Sequence, residues 1–493
     1  GVDRLDVPAG PGFSSAIILN NPTMNCFRPL CAFCTALFAL PLILSAEGPQ
    51  RPAPEPYRPE KWNEIETYIR NNWHNFVEKN PDFPVAYLYG LNPGTLYYWD
   101  LYFHNEGLLR CGETELARNN LDCMIWQIDK LGFIPNASGW GEDRSQTPCF
   151  SMSVRRYWEL TPGKDTAWLH RAYRAVLKEY EFWTNTDGNT IEDHSTPVKG
   201  LQRYGHHSDT AALATFYDRV LKGRFRLDPG APRETKIRMA AHRMAEAECM
   251  DFTPRFEGRC MNYIPVDLNS YLYGYEKDLA YYERELDLSD GRKWEQKAEK
   301  RARLIEKYCW DEMRGLYLDY DFVNRRRSPV GSLAALMPLH FGFAPARHAE
   351  RVRENLPLFD SPGGLVVCET TPQKIAYQWG HSAVWAPIQQ LAIEAMLRYG
   401  YREEAQHIAL KWLNTVTRNY LDPQPATHRP FKYGDGTRHP GFLWEKYTRD
   451  GRINDDEYPC SFMLGWTASA YLVALETVRG AERQTRFTTV AKD

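Results

Sequence analysis

The chain has no basic excess: 60 Lys and Arg face 63 Asp and Glu, a formal charge of −3 over 493 residues. Nucleic-acid proteins show the opposite balance, so that class is excluded and no nucleic-acid partner is expected. Long apolar runs are scarce too. The single one, residues 29–46 (PLCAFCTALFALPLILSA), excludes a multi-span membrane protein. Past residue 46 no Cys-x-x-Cys pair remains, so neither a zinc ribbon nor a dithiol redox motif has its ligands. A Gly-x-Ser-x-Gly elbow is absent, and no glycine-rich phosphate loop follows a strand. Strand-like alternation is rare throughout.

What is present is apolar and aromatic. Hydrophobic residues make up 43% and charged residues 25%, enough to bury a large core and to exclude disorder of the whole chain. The apolar run follows Met24-Asn25-Cys26-Phe27-Arg28 and ends in Leu44-Ser45-Ala46, the layout of a secretory signal over 24–46 with cleavage after Ala46. A periplasmic or secreted protein without a stable membrane span after signal removal is therefore expected. Residues 1–23, ahead of that Met, read as an over-extended or added N-terminus. Residues 47–59 (EGPQRPAPEPYRP) form a proline-rich linker that cannot be helical. Beyond residue 46 eight cysteines remain; Cys249 and Cys260 bracket Asp251, and both a bridge and buried free thiols are open to them.

From there helical patterns recur almost to the end. Trp62, Ile65, Tyr68, Ile69, Trp73 and Phe76 step by three and four. Similar amphipathic stretches cover about 98–111, 114–131, 148–160, 165–184, 208–222, 232–248, 267–286, 291–312, 347–355, 379–399, 402–420 and 462–479. The charged run 292–307 reads as a solvated helix face. A dozen helices of 10–20 residues, without sequence repeats or a composition break, predict one all-α domain over 60–493, built of helical hairpins closed into an α/α toroid.

Four polar-aromatic clusters fall between these helices. They are Tyr97-Tyr98-Trp99-Asp100-Leu101-Tyr102; Gly132 to Asn136 with Arg144-Ser145-Gln146-Thr147-Pro148; Asp251 to Arg255 leading to Ile264–Asn269; and Trp444-Glu445-Lys446-Tyr447 with Asp456-Glu457-Tyr458-Pro459. Trp beside carboxylate, Asn and Arg suits a sugar: aromatic rings cover the apolar faces of a pyranose while planar groups fork hydrogen bonds to its hydroxyls. Breaking a glycosidic bond needs one protonated and one ionised carboxyl. Spacing alone does not select the pair. His206-His207 has no third partner at metal-ligand spacing, and Asp319-Tyr320-Asp321 lacks an EF-hand loop and reads as surface. No metal or cofactor is expected; the expected partner is a small carbohydrate, with no oligomeric state implied.

In this order the clusters resemble the trehalase family of inverting glycosidases, over about Tyr87 to Leu475. Tyr97, Trp99, Asp100 and Tyr102 match the family's Tyr-x-Trp-Asp-x-Tyr. Gly132–Asn136, Arg144–Pro148, Gly200–Tyr204 and Ile264–Asn269 match its successive segments. Gln378 to Pro387 resembles its second signature, and Glu445-Lys446-Tyr447, Glu457-Tyr458-Pro459 and Gly465-Trp466-Thr467 close the series. The resemblance implies an (α/α)6 toroid and hydrolysis with inversion. It assigns Asp251 as general acid and Glu445 as general base, about 6.5–9.5 Å apart. It also implies sugar contacts from Trp99, Asp100, Asn136, Arg144, Ser145, Gln146, Trp379 and Glu457.

The departures bear on substrate. Asn92 stands at the position of a family Arg that contacts sugar, and no Arg-Pro-Glu-Ser segment follows Tyr204. Gly380 and Ser382 replace an Asp and a Pro of the second signature. Trehalose is the expected substrate. The rivals are a related α-glucosidase or α-mannosidase acting on glucosylglycerate, mannosylglycerate or a glucosylated oligosaccharide, and a carbohydrate-binding toroid without turnover.

Overall fold

A computed structural model describes residues 53–185, 190–372, 375, 377–427 and 439–480. The expected signal 24–46 and the segment 1–23 lie outside the described residues. Fifteen helices are assigned among those described. In chain order they are α1 (Trp62–Asn72), α2 (Tyr98–Cys111), α3 (Thr114–Leu131), α4 (Phe150–Leu160), α5 (Thr166–Thr184), α6 (Thr210–Phe216), α7 (Lys222–Arg224) and α8 (Arg233–Glu246). They continue with α9 (Val266–Glu285), α10 (Arg292–Cys309), α11 (Met337–His340), α12 (Ala346–Glu354), α13 (Ala386–Arg398), α14 (Arg402–Leu421) and α15 (Gly465–Arg479).

The packing of neighbours closes a ring: α2 lies on α4, α4 on α9, α9 on α11, α11 on α13, α13 on α15, and α15 back on α2. A second set lies outside it, with α3 against α2 and α4, α5 and α10 against α9, and α14 and α1 against α13 and α15 or their neighbours. The fold is an (α/α)6 toroid. Sequence pattern explains which helix goes where. In α2 every residue from Tyr98 to Arg110 is buried, and α15 is buried from Gly465 to Leu475, as elements walled in on all sides require. On α10 only Trp294, Ala298, Arg301, Ile305 and Cys309 are buried, one stripe at helical spacing, so its charged remainder faces water as expected. Helices α2 and α3 both stop at a glycine in the left-handed region, Gly112 (φ 86°) and Gly132 (φ 90°), which turns the chain back between inner and outer layers.

Several expectations shift. The stretch 379–399 becomes helical only from Ala386, because Ala383–Trp385 pairs antiparallel with Lys446–Thr448. The stretch 291–312 ends at Cys309, where Trp310–Asp311 enters a hairpin with Leu316–Tyr317. Asp319 and Asp321 are buried rather than on the surface, paired with Arg255 and Arg259. All eight described cysteines are free thiols. The end of the linker is docked: Tyr57 N–H donates to Asn414 Oδ1 at 2.7 Å, and Asn414 Nδ2 donates to Glu55 O at 2.8 Å. No helix among the described residues is long and apolar enough to cross a membrane.

Helices α6–α8 stand apart, with a small core of their own around Leu213, Tyr217, Leu221, Ala240 and Met244. They are inserted between α5 and α9, and Phe216 and Phe225 reach Phe252 at ring-centroid distances of 6.3 and 5.9 Å. Close packing elsewhere is testable at Gly107. A Cβ there would lie 2.7 and 2.9 Å from ring atoms of Trp73, itself without exposed surface. Gly107→Ala should therefore destabilise the fold by about 1–3 kcal/mol in urea unfolding, despite a gain of about 1 kcal/mol in helix propensity.

Candidate active site

Every cluster singled out in the sequence precedes or begins an inner helix. Trp99 and Asp100 lie in the first turn of α2, residues 136–146 lead into α4, and Asp251 sits in the turn between α8 and α9. Trp379 precedes α13, and Glu445 and Glu457 precede α15. Closing the ring thus gathers these side chains at the N-terminal ends of the inner helices, where the helix dipoles favour negative charge.

Main-chain bonds fix the first two loops together. Gln146 Oε1 accepts from Trp99 N–H at 3.0 Å, and Tyr98 N–H donates to Asn136 O at 3.2 Å. Asn136 Nδ2 donates to Ala247 O at 2.9 Å, binding this loop to the segment before Asp251. Ser145 gives its hydroxyl to Ile134 O at 2.7 Å and its N–H to Glu248 at 3.0 Å. The side chains of Asn136 and Ser145 are therefore engaged with the protein in holding the loops. Arg144 pairs with Asp143, and its guanidinium lies 5.6 Å from the ring of Trp140, which is 57% exposed.

Four tryptophans form one contiguous wall. Trp379 stacks on Trp385 at 4.0 Å and 9°, Trp99 lies 5.4 Å from Trp379, and Trp466 meets both Trp99 and Trp385 edge-on. Trp466 Nε1 donates to the carbonyl of Glu445 at 2.9 Å, so the wall also positions that residue. Tyr458 donates its hydroxyl to Glu445 Oε1 at 2.6 Å.

The electrostatics divide the carboxyls. Burial pushes Asp251 up to about 6; Glu457 pushes in the same direction, while Arg144 and Arg224 oppose it. Asp100 is raised well above the usual carboxylate range by burial and by the nearby Glu445. Asp100 Oδ1 and Arg144 Nε are buried without a hydrogen-bond partner among the described residues, as expected of groups shaped for a ligand. Phe252, next to Asp251, holds a left-handed backbone (φ 53°), the strain tolerated where a neighbouring side chain must be aimed. A cavity of about 680 Å³ lined by Arg203, Arg238, His242 and Met261 contains none of these carboxyls, so chemistry rather than volume locates the site.

A family model described as Trehalase matches residues 94–479, most of the chain and every one of these clusters. The chain belongs to the trehalase family. It is 30% identical over 446 residues to a probable trehalase of Saccharomyces cerevisiae, covering 81% of this chain and 56% of the relative. It is likewise 30% identical to the periplasmic trehalase of Xanthomonas oryzae, covering 78% and 66%. The chain thus spans little more than half the length of the first curated relatives it matches. Among solved structures, the neutral trehalase of S. cerevisiae superposes with a TM-score of 0.63 at 25% identity, over 84% of this chain and 79% of that one. A mannosylglycerate hydrolase of Thermus thermophilus shares the fold, with a TM-score of 0.56 at 14% identity over 83% and 99%. Cytosolic as well as periplasmic trehalases are among the relatives, so kinship does not assign a compartment.

One charged residue at this trehalase-family site escaped sequence reasoning. Arg224, in α7 of the insert, forms an ion pair with Glu457, lies 3.9 Å over the ring of Phe252, and acts on Asp251. Nothing in Leu221-Lys222-Gly223-Arg224-Phe225-Arg226 marks it, because only the insert's docking brings it there. Tyr458 stands in the fourth cluster and in a matched tripeptide, where nothing marks it as the partner of Glu445.

The raised carboxyl has a thermodynamic consequence. Folded Asp251 holds its proton more tightly than the unfolded chain does, so this contribution is full below pH 4 and lost as pH rises through about 6. Asp251→Asn should therefore be more stable than the parent by about 1–3 kcal/mol at pH 7, with the difference vanishing near pH 4 in denaturant titrations.

Proposed function

We propose that the chain hydrolyses the α-glucosidic bond of trehalose with inversion, Asp251 acting as general acid and Glu445 as general base. The observation that carries this reading is the Asp251 carboxyl: held near 6 by burial and Glu457, it keeps a transferable proton close to neutral pH. The relatives' names supply the substrate.

Asp251 donates its proton to the glycosidic oxygen as the bond from the anomeric carbon to that oxygen breaks. Glu445 removes a proton from a water on the opposite face of the ring, and that water's oxygen bonds to the anomeric carbon. Positive charge develops on the ring in between, beside the carboxyls of Asp100 and Glu445. Trp99 and Trp379 present aromatic surface to the sugar, and Arg144 and Glu457 reach its hydroxyls. Tyr458 and Trp466 fix Glu445 from two directions. The domain over 60–493 performs this chemistry. A leader at 24–46 carries it out of the cytoplasm and the linker 47–59 follows, a layout in keeping with the periplasmic relative.

A second reading takes a related α-glucoside or α-mannoside such as glucosylglycerate or mannosylglycerate. It is favoured by Asn92 in place of the family Arg and by the missing Arg-Pro-Glu-Ser segment. A toroid that binds sugar without turnover is disfavoured, because a half-buried carboxyl held near 6 is of no use to binding alone.

Trehalose incubated with the protein and followed by NMR should release one glucose first as the β-anomer. Initial release of α-anomer only would overturn the inverting assignment, and turnover of glucosylglycerate instead of trehalose would establish the second reading. Asp251→Asn and Glu445→Gln should each lower kcat by about 10²–10⁴-fold with the fold intact. The alkaline limb of kcat/KM should fall near pH 6, where Asp251 loses its proton. Removing the positive charge in Arg224→Met should move that limb to higher pH, and Glu457→Gln should move it lower.

A further inference from the structure

Beneath the loops that carry Arg144 and Asp251 lies a polar cluster that the glycosidase chemistry does not use. Glu192, His194 and Glu248 are buried, with no exposed side-chain surface. The His194 ring is held between Trp183 and Phe182, at centroid distances of 4.6 and 4.9 Å. Its Nδ1 lies 3.1 Å from the carbonyl oxygen of Phe182, an acceptor, so Nδ1 carries the hydrogen. In the neutral ring Nε2 then turns a lone pair toward two carboxylate oxygens, Glu192 Oε2 at 3.2 Å and Glu248 Oε2 at 3.3 Å.

The other oxygens of both carboxylates are occupied. Glu192 Oε1 faces His207 Nδ1 at 2.7 Å, and Glu248 Oε1 accepts from Ser145 N–H at 3.0 Å. Gly205 N–H donates to Glu248 Oε2 at 2.6 Å, whereas Glu192 Oε2 accepts no main-chain hydrogen bond among the described residues. Two buried carboxylates around a neutral imidazole carry two uncompensated charges, which two protons or one divalent cation would neutralise.

The two separations are nearly equal, so neither oxygen is drawn in by a two-centre bond from Nε2; an ion held between the oxygens, or a proton shared by both, keeps them so. A tetrahedral ion with arms of about 2.0–2.1 Å sets its ligand atoms about 3.3–3.4 Å apart. Space is reserved as well: a Cβ at position 205 would stand 3.3 Å from both Glu192 Oε2 and His194 Nε2.

We propose that Glu192 Oε2, His194 Nε2 and Glu248 Oε2 bind a divalent cation of the zinc class, with a solvent oxygen completing four-coordination. One imidazole and two carboxylates form a donor set that suits such an ion. The Nδ1–H bond to Phe182 O and the His207 contact orient the ligands from outside. The ion ties the segment 192–205 to Ser145, between Arg144 and Gln146, and to Glu248, three residues ahead of Asp251. Its role is structural, bracing two loops of the site. His194 and Glu248 stand 54 positions apart, which is why no spacing motif announces the set.

The test is metal content and melting of the full chain produced in zinc-supplemented medium. About one equivalent of zinc per chain is expected, with the melting midpoint falling by about 5 °C or more on EDTA treatment and returning when Zn²⁺ is added back. His194→Ala should lose both the zinc and the Zn²⁺-dependent shift, while His206→Ala keeps them. Zinc below a tenth of an equivalent with no melting response to EDTA or Zn²⁺ would overturn the proposal and leave the cluster to two protons; so would undiminished zinc in His194→Ala. Should His194→Ala fail to fold, the content and melting of the parent chain decide alone. Neither readout involves turnover, so failure here leaves the glycosidase reading standing.

Discussion

Arg255 has no exposed surface, and its guanidinium is shared between two aspartates. Nη1 and Nη2 donate to Asp267 at 2.6 and 2.9 Å, and Nε and Nη2 donate to Asp319 at 3.0 and 2.8 Å. The carboxylates are further satisfied by main-chain N–H groups at the start of α9, from Leu268 to Asp267 and from Val266 to Asp319. Burying three charges is costly, and such a cluster persists only when every donor and acceptor is matched; losing one partner costs about 3–5 kcal/mol. The cluster therefore permits one conformation of residues 251–255. Asp251 lies four residues before Arg255, and Thr253 between them is tied to the buried Glu246 at 2.9 Å. The position of the Asp251 carboxyl, the proposed proton donor, depends on this pinned loop.

The toroid supplies what the loop cannot. Its six inner helices begin on one face, so segments distant in sequence end beside each other without any of them being long. The same closure explains the aromatic richness. The wall of Trp99, Trp379, Trp385 and Trp466 draws on loops before or at the start of α2, α13 and α15, and it presents flat aromatic surface. Burial within the ring, with Glu457 and Glu445 as neighbours, raises Asp251 and Asp100. Packing, electrostatics and acid–base capacity are one property of the closed ring.

Much of the architecture was legible because inner and outer helices differ in pattern. The single stripe of α10 and the unbroken burial of α2 are both written in residue spacing. Legibility failed where pairing across the ring overrides local propensity. The sequence pattern puts the start of α13 seven residues early because Ala383–Trp385 is apolar enough for either state, and its partner strand lies more than sixty residues away. Four-residue α11 closes the ring yet is too short to show a period. Asp319 and Asp321 looked like surface because their arginine partners are remote in sequence.

At the site, the residue types and their order sufficed for family membership and for nominating Asp251, Glu445, Trp99 and Trp379, since motifs are local strings. Three things were settled only by the folded chain. One is the division of labour among the polar groups: Ser145 and Asn136 turn to the main chain, while Asp100 Oδ1 and Arg144 Nε stay unpartnered among the described residues. Another is the delivery of Arg224 to Glu457 by an inserted helical unit with its own core. The third is the meeting of Glu192, His194 and Glu248. Sequence determines which groups exist and how their nearest neighbours are arranged. Burial and charge–charge distance are properties of space, and they alone decide which carboxyl keeps its proton and which cation finds its partner.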